Sequence, residues 1–215
     1  METAGPAQSR LIGQARLAEA LTLAWMTVEL VVALWAGIAA RSVALTTFGV
    51  DSGLELFTAG VVLRQLLLHS ERATDEELDR RERQASRLVG YGLYGLIVYI
   101  VATSVWSLAT GSRPDSSTPG LILAIAALVV MPVLWRWRLS LGNRLDSPAL
   151  RADAACSLVC LYMSAVLLAG LLLNSLFGWW WADPIAALAM IWWIRGEASE
   201  ALEAARTGRR EDDSR

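Results

Sequence analysis

Six apolar stretches dominate this chain: Leu21–Ala40, Val43–Leu68, Leu88–Leu108, Gly120–Leu134, Ala152–Leu173 and Trp179–Ile194. A helix needs roughly 20 apolar residues to cross the hydrocarbon core of a bilayer. Inside that core, helices and closed barrels alone satisfy every backbone polar group. The pattern therefore predicts an all-α membrane protein, a bundle of six transmembrane helices. The fourth and sixth stretches are short, and each gains a turn at its end through Trp135–Trp137 and Trp192–Gly196, where Trp and Arg suit the interface. Pro132 and Pro184 are compatible with this, because neighbouring helices repair the breaks that proline makes. The first stretch is not expected to be a cleavable signal peptide, being too long and preceded by a polar segment.

Composition agrees with a lipid solvent. The chain has 215 residues, 55% hydrophobic and 19% charged, with ten Trp. That is high for a water-soluble domain and ordinary for a polytopic membrane protein. A net charge of −2 implies neither nucleic acid nor an acidic partner. The two cysteines, Cys156 and Cys160, lie inside an apolar run and offer no disulfide framework of the secreted kind.

Every basic residue other than histidine is Arg, and their distribution predicts orientation. With a cytoplasmic N-terminus, the inner segments hold Arg10, Arg16, Arg72, Arg80, Arg81, Arg83, Arg87, Arg136, Arg138, Arg144, Arg151 and the arginines from Arg195 onward. The outer loops then hold Arg41 and Arg113 alone. This asymmetry places both termini in the cytoplasm of a multi-pass cell-membrane protein. The expected organisation is a cytoplasmic segment over 1–20, a six-helix domain over 21–195 and a short charged tail over 196–215. The charged stretch "HSERATDEELDRRERQ" between the second and third spans reads as a solvated helix or an extension of its neighbours.

Within this apolar frame the ionisable residues stand out, because each costs about 2.5 kcal/mol or more at a helix centre. The candidates are Glu29, Asp51, Glu55, Asp153 and Asp183. Asp51 and Glu55 are four residues apart, so they project from one helical face about 6 Å apart along the axis. Such a pair either shares protons or holds a cation. Gly49 and Gly53 on the same helix would admit a close neighbour. The fifth span places Asp153, Cys156 and Cys160 within about 60° of one another around its axis. Asp153 and Cys160 differ in height by about 10 Å, too far to share one small ion, whereas the two cysteines are one turn apart. The compatible ligand set is Asp51 and Glu55 with Cys156 and Cys160. Mixed oxygen and thiolate donors suit a borderline or soft divalent ion such as Zn²⁺ or Cd²⁺.

Three stretches carry a resemblance: "SVALTTFGVDSGLELFTAGVVL" in the second span, "ALRADAACS" leading into the fifth and "WWWADPIAALAMIWW" in the sixth. Together they resemble the transmembrane domain of the cation diffusion facilitator, or cation efflux, family. That resemblance implies a secondary transporter rather than an enzyme, exchanging Zn²⁺ or a related ion such as Cd²⁺ or Co²⁺ for protons, with no prosthetic group. It places Asp51 and Glu55 at the family's first metal pair, and Cys156 and Cys160 where a His and an Asp would form the second. Asp153 matches the acid of an Ala-Asp-Ala lead-in, and Asp183 that of an Ala-Asp-Pro motif. The family's usual cytoplasmic domain after the sixth helix has no counterpart in the short tail, so a homodimer would pack through membrane helices. The family's His-rich loop is missing as well. His69, the one histidine, reads as an interfacial residue.

Each acid also has a structural reading. Asp51 and Glu55 could be hydrogen-bonded to Thr46, Thr47 or Ser52, and the cysteines could pack as small hydrophobes. Asp153 could serve as a first-turn acid, and Asp183 as a helix cap. Glu29 either joins a proton path or bonds to a neighbouring helix. The alternative function is a non-transporting, metal-sensing or partner-binding membrane protein on the same bundle.

Overall fold

Residues 6–68, 75–145 and 148–207 are described by the computed structural model, with the side chains of residues 6–9, 12, 58–68, 75–82, 85, 148–157, 204 and 207 excepted. His69 lies outside the described residues. The described chain is all-helical, with α1 at Pro6–Ala40, α2 at Val43–Leu68, α3 at Asp75–Thr110, α4 at Thr118–Arg144, α5 at Pro148–Phe177 and α6 at Ala182–Thr207. The expected all-α membrane bundle is what the chain forms. Four stretches, Gly13–Ala40, Ser86–Thr110, Thr118–Arg144 and Leu158–Phe177, are long and apolar enough to cross a membrane. The acidic half of the second loop extends α3, beginning at Asp75.

Local chemistry sets the helix ends. α1 stops where Arg41 takes a left-handed conformation, φ 55°, a position that glycine usually fills. The Ser42 amide then donates back to the Gly37 carbonyl at 2.9 Å. Ser42 also caps α2, its hydroxyl oxygen accepting from the Leu45 amide at 3.0 Å. Ser117 caps α4 in the same way through the Gly120 amide, 3.1 Å away, with Pro119 in the first turn, where its missing N–H costs nothing.

The α1–α2, α3–α4 and α5–α6 connections meet at one end of the bundle. There the Asp115 amide donates to the Ala40 carbonyl at 2.8 Å, and the Asn174 side chain donates to the Pro114 carbonyl at 3.1 Å. Arg41 and Asp115 form an exposed ion pair, 3.0 Å, at this end. Around the α5–α6 connection, Trp179 stacks on Trp181 and meets Phe177 at a tilt, with ring centroids 5.1 and 5.4 Å apart. At the opposite end lies Arg138, one of the arginines assigned to the inner segments. It is almost fully buried and pairs with Glu19 of α1 at 3.2 Å, above a small cluster of Ala15, Ala18 and Leu141.

α2 lies against α1, α3, α5 and α6. Its approach to α1 is close because small residues line it. A Cβ on Gly37 would stand 2.7 Å from the Thr46 amide nitrogen, and one on Gly49 would stand 2.9 Å from that of Leu34. Phe48, Leu45, Ile100, Met163, Leu167, Met190 and Ile194 fill the interior, while Ile38, Val98, Val105, Ile122, Val129 and Val133 face outward. An apolar exterior around a core with buried acids fits a lipid environment.

Candidate metal centre

Asp51 and Glu55 occupy successive turns of α2, and Thr47 sits one turn before them. Asp51 and Thr47 are fully buried and Glu55 partly so. Of the three hydroxyls that could have satisfied these acids, two are committed elsewhere and the third, on Thr47, bonds to neither acid. Thr46 donates to the Ser42 carbonyl at 2.8 Å and Ser52 to the Phe48 carbonyl at 3.0 Å, both backward along their own helix. Thr47 Oγ1, Asp51 Oδ1 and Glu55 Oε1 are buried without any hydrogen-bond partner.

The third acid comes from α6. Glu197 brings a carboxylate oxygen to the same point, so that Asp51, Glu55 and Glu197 each offer one ligand atom within 4.8 Å of the others. Its Oε1 is also buried and unpartnered. Oxygens sharing one ion at about 2.1 Å stand about 3.4 Å apart in a tetrahedron, so rotation of the side chains suffices to close around a cation. Among the described residues the ion pairs join Arg41 to Asp115 and Arg138 to Glu19, and neither reaches this cluster. Three acids with bare oxygens and, among the described residues, no ion-pair partner are costly in an apolar bundle, and a divalent ion removes that cost.

α5 contributes Cys160, which is buried and donates from Sγ to Glu55 Oε2 at 2.8 Å. The thiol therefore stands beside the acids, as its place in the sequence suggests. The side chains of Asp153 and Cys156, on the same helix, fall outside the described residues.

Sequence reasoning missed Glu197, because the segment after Arg195 reads as a charged tail. The structure continues α6 through it to Thr207. A signal was present: Glu197 follows Asp183 by fourteen residues, which returns to within about 40° of the same helical face. Asp183 itself caps a different helix from the one expected. Its carboxylate accepts from the Ser42 hydroxyl and, at 2.8 Å, from the Val43 amide at the start of α2. One face of α6 thus grips α2 at its first residue and meets it again at the acids.

Residues 20–204 match the cation efflux transmembrane domain. An uncharacterized transporter of Synechocystis sp. is 30% identical over 158 residues, covering 69% of this chain and 49% of that protein. The magnetosome protein MamB of Paramagnetospirillum magneticum is 27% identical over 158 residues, covering 72% of this chain and 53% of that protein. The chain thus spans about half the length of these curated relatives. With most of this chain matched to the family's transmembrane domain, and three acids gathered inside a helical bundle, the chain belongs to the cation efflux family.

Proposed function

We propose that this protein is a secondary transporter that exports a divalent metal cation, Zn²⁺ or a close relative, in exchange for protons. The observation that carries the reading is the meeting of Asp51, Glu55 and Glu197, each with a buried oxygen that has no partner. Family membership supports metal cation transport as the general activity. In the proposed site the three carboxylates bind the ion, with Cys160 next to Glu55 as a thiol donor and Cys156 one turn away on α5. Asp153, nearer the start of α5, recruits or relays the ion.

Exchange follows from competition for the same atoms. A carboxylate or thiol must lose its proton to bind a metal, so cation and protons are alternative occupants. Alternating access then requires that the two occupants favour opposite-facing states of the bundle. The arginine asymmetry supports cytoplasmic termini and loading from that side. Purified protein in vesicles, challenged with a panel of divalent ions against an imposed pH gradient, tests the reading. Metal uptake that grows with the gradient is the expected result. Tight metal binding without flux would instead favour a sensor.

A further inference from the structure

Among the described residues, Glu29 is the one fully buried acid that lies outside the cluster and the α2–α6 clasp. It is completely inaccessible in the middle of α1. Its Oε1 accepts a hydrogen bond from Trp25 Nε1 at 2.7 Å, so its partner lies on its own helix and not on a neighbour. Its Oε2 is buried with no partner at all. A cap or helix-joining role would use that second oxygen, and the cost of leaving it bare calls for an occupant.

The α1–α2 register fixes its height. Gly37 meets Thr46, Leu34 meets Gly49 and Leu30 meets Gly53, an antiparallel pairing in which the two residue numbers always sum to the same value. Glu29 therefore lies level with residue 54, between Asp51 and Glu55 along the membrane normal. Its carboxyl lies close enough to those of Asp51 and Glu55, and to the Cys160 thiol, for a charge on one to be felt at the others. α4, the other helix packed on α1, carries Arg136, Arg138 and Arg144, all near its far end. Of these Arg138 pairs with Glu19, about 15 Å along α1 from Glu29. Glu29 thus shares the electrostatic neighbourhood of the site without belonging to the three-carboxylate group.

Resting on the exchange reading above, we propose that Glu29 carries one of the exchanged protons and does not bind the cation. When the site holds protons, Glu29 Oε2 holds one as well. When the cation takes the site, that O–H bond breaks and the proton passes to water on the side the cation came from; an O–H bond forms again with a proton from the other side after the cation leaves. Glu29 then offsets one unit of the charge that the cation brings.

The test is the number of protons moved per cation in vesicles holding the full chain, read with a pH-sensitive dye inside and a Zn²⁺ indicator. Glu29→Gln is expected to bind Zn²⁺ within about threefold of the unaltered protein while moving one proton fewer per cation. Glu29→Asp, which keeps a carboxyl, restores the count. An unchanged count in Glu29→Gln overturns the assignment, as does a loss of Zn²⁺ affinity equal to that of Asp51→Asn, which would make Glu29 a ligand. Unaltered protein that transports Zn²⁺ without protons overturns the exchange reading instead. Should Glu29→Gln fail to fold, Trp25→Phe removes the N–H donor and leaves the acid in place. It is expected to keep the proton count and move the pH midpoint of exchange, and an unmoved midpoint overturns the proposal.

Discussion

The carboxylate of Asp183, on α6, accepts a hydrogen bond from the backbone amide of Val43, the first residue of α2, at 2.8 Å. It also accepts one from the Ser42 hydroxyl. Helix N-terminal amides lack intrahelical partners, and an acid beside them also meets the positive end of the helix dipole. The bond ties together the two helices that supply Asp51, Glu55 and Glu197. Asp183→Ala should lower stability in detergent by about 1–2 kcal/mol, the usual cost of a lost cap. Asp183→Asn, which keeps an acceptor oxygen, should lose less, and thermal unfolding of the two variants checks the order.

Glu197 offers the sharpest test of the site's composition. Glu197→Gln should weaken divalent cation binding by at least about 10-fold, the loss that removing even an outer partner of a metal site can cause. Glu200→Gln, three residues on and exposed, should leave affinity unchanged. Isothermal titration of both variants with Zn²⁺ separates a ligand from a general contribution of negative charge at this end of α6.

How much of this was legible in the sequence depended on what each residue's neighbours looked like. Asp51 and Glu55 were legible because two acids one turn apart interrupt an otherwise apolar span. Gly49 announced a close approach, which the structure assigns to α1. Glu197 was hidden because it follows Arg195 and precedes Glu200 and Glu203, so its surroundings in the chain resemble a solvated tail. The fold carries it inward because α6 runs beside α2 from Asp183 onward, and helical side chains lean back toward the N-terminus, here toward Glu55. The burial of Arg138 was hidden for a related reason. Periodicity alone does not show that a salt-bridge partner such as Glu19 waits on another helix.

Cys160 should tune which ion is preferred. Cys160→Ser retains a donor to Glu55 Oε2 but removes the sulfur, so the preference for Cd²⁺ over Zn²⁺ should fall several-fold as the site loses its soft donor. Competition binding with the two ions measures this, and an unchanged ratio would place the thiol outside the coordination sphere.

The buried pair at the other end should be structural. Arg138→Ala should cost about 3 kcal/mol, since it leaves a cavity and removes the partner of Glu19. Glu19→Gln should cost less, because the Glu19 side chain is 33% exposed and water can replace part of what it loses. Unfolding midpoints for both variants give the comparison, and cation affinity should be unchanged in each.

The central claim is that Asp51 belongs to a cation site through which transport proceeds. The most direct measurement is Zn²⁺ uptake into vesicles containing purified protein, driven by an imposed pH gradient, with Asp51→Ala compared against the unaltered chain at equal amounts of folded protein. The account predicts gradient-driven uptake by the unaltered protein and none above empty vesicles for Asp51→Ala. Undiminished uptake by Asp51→Ala would contradict it.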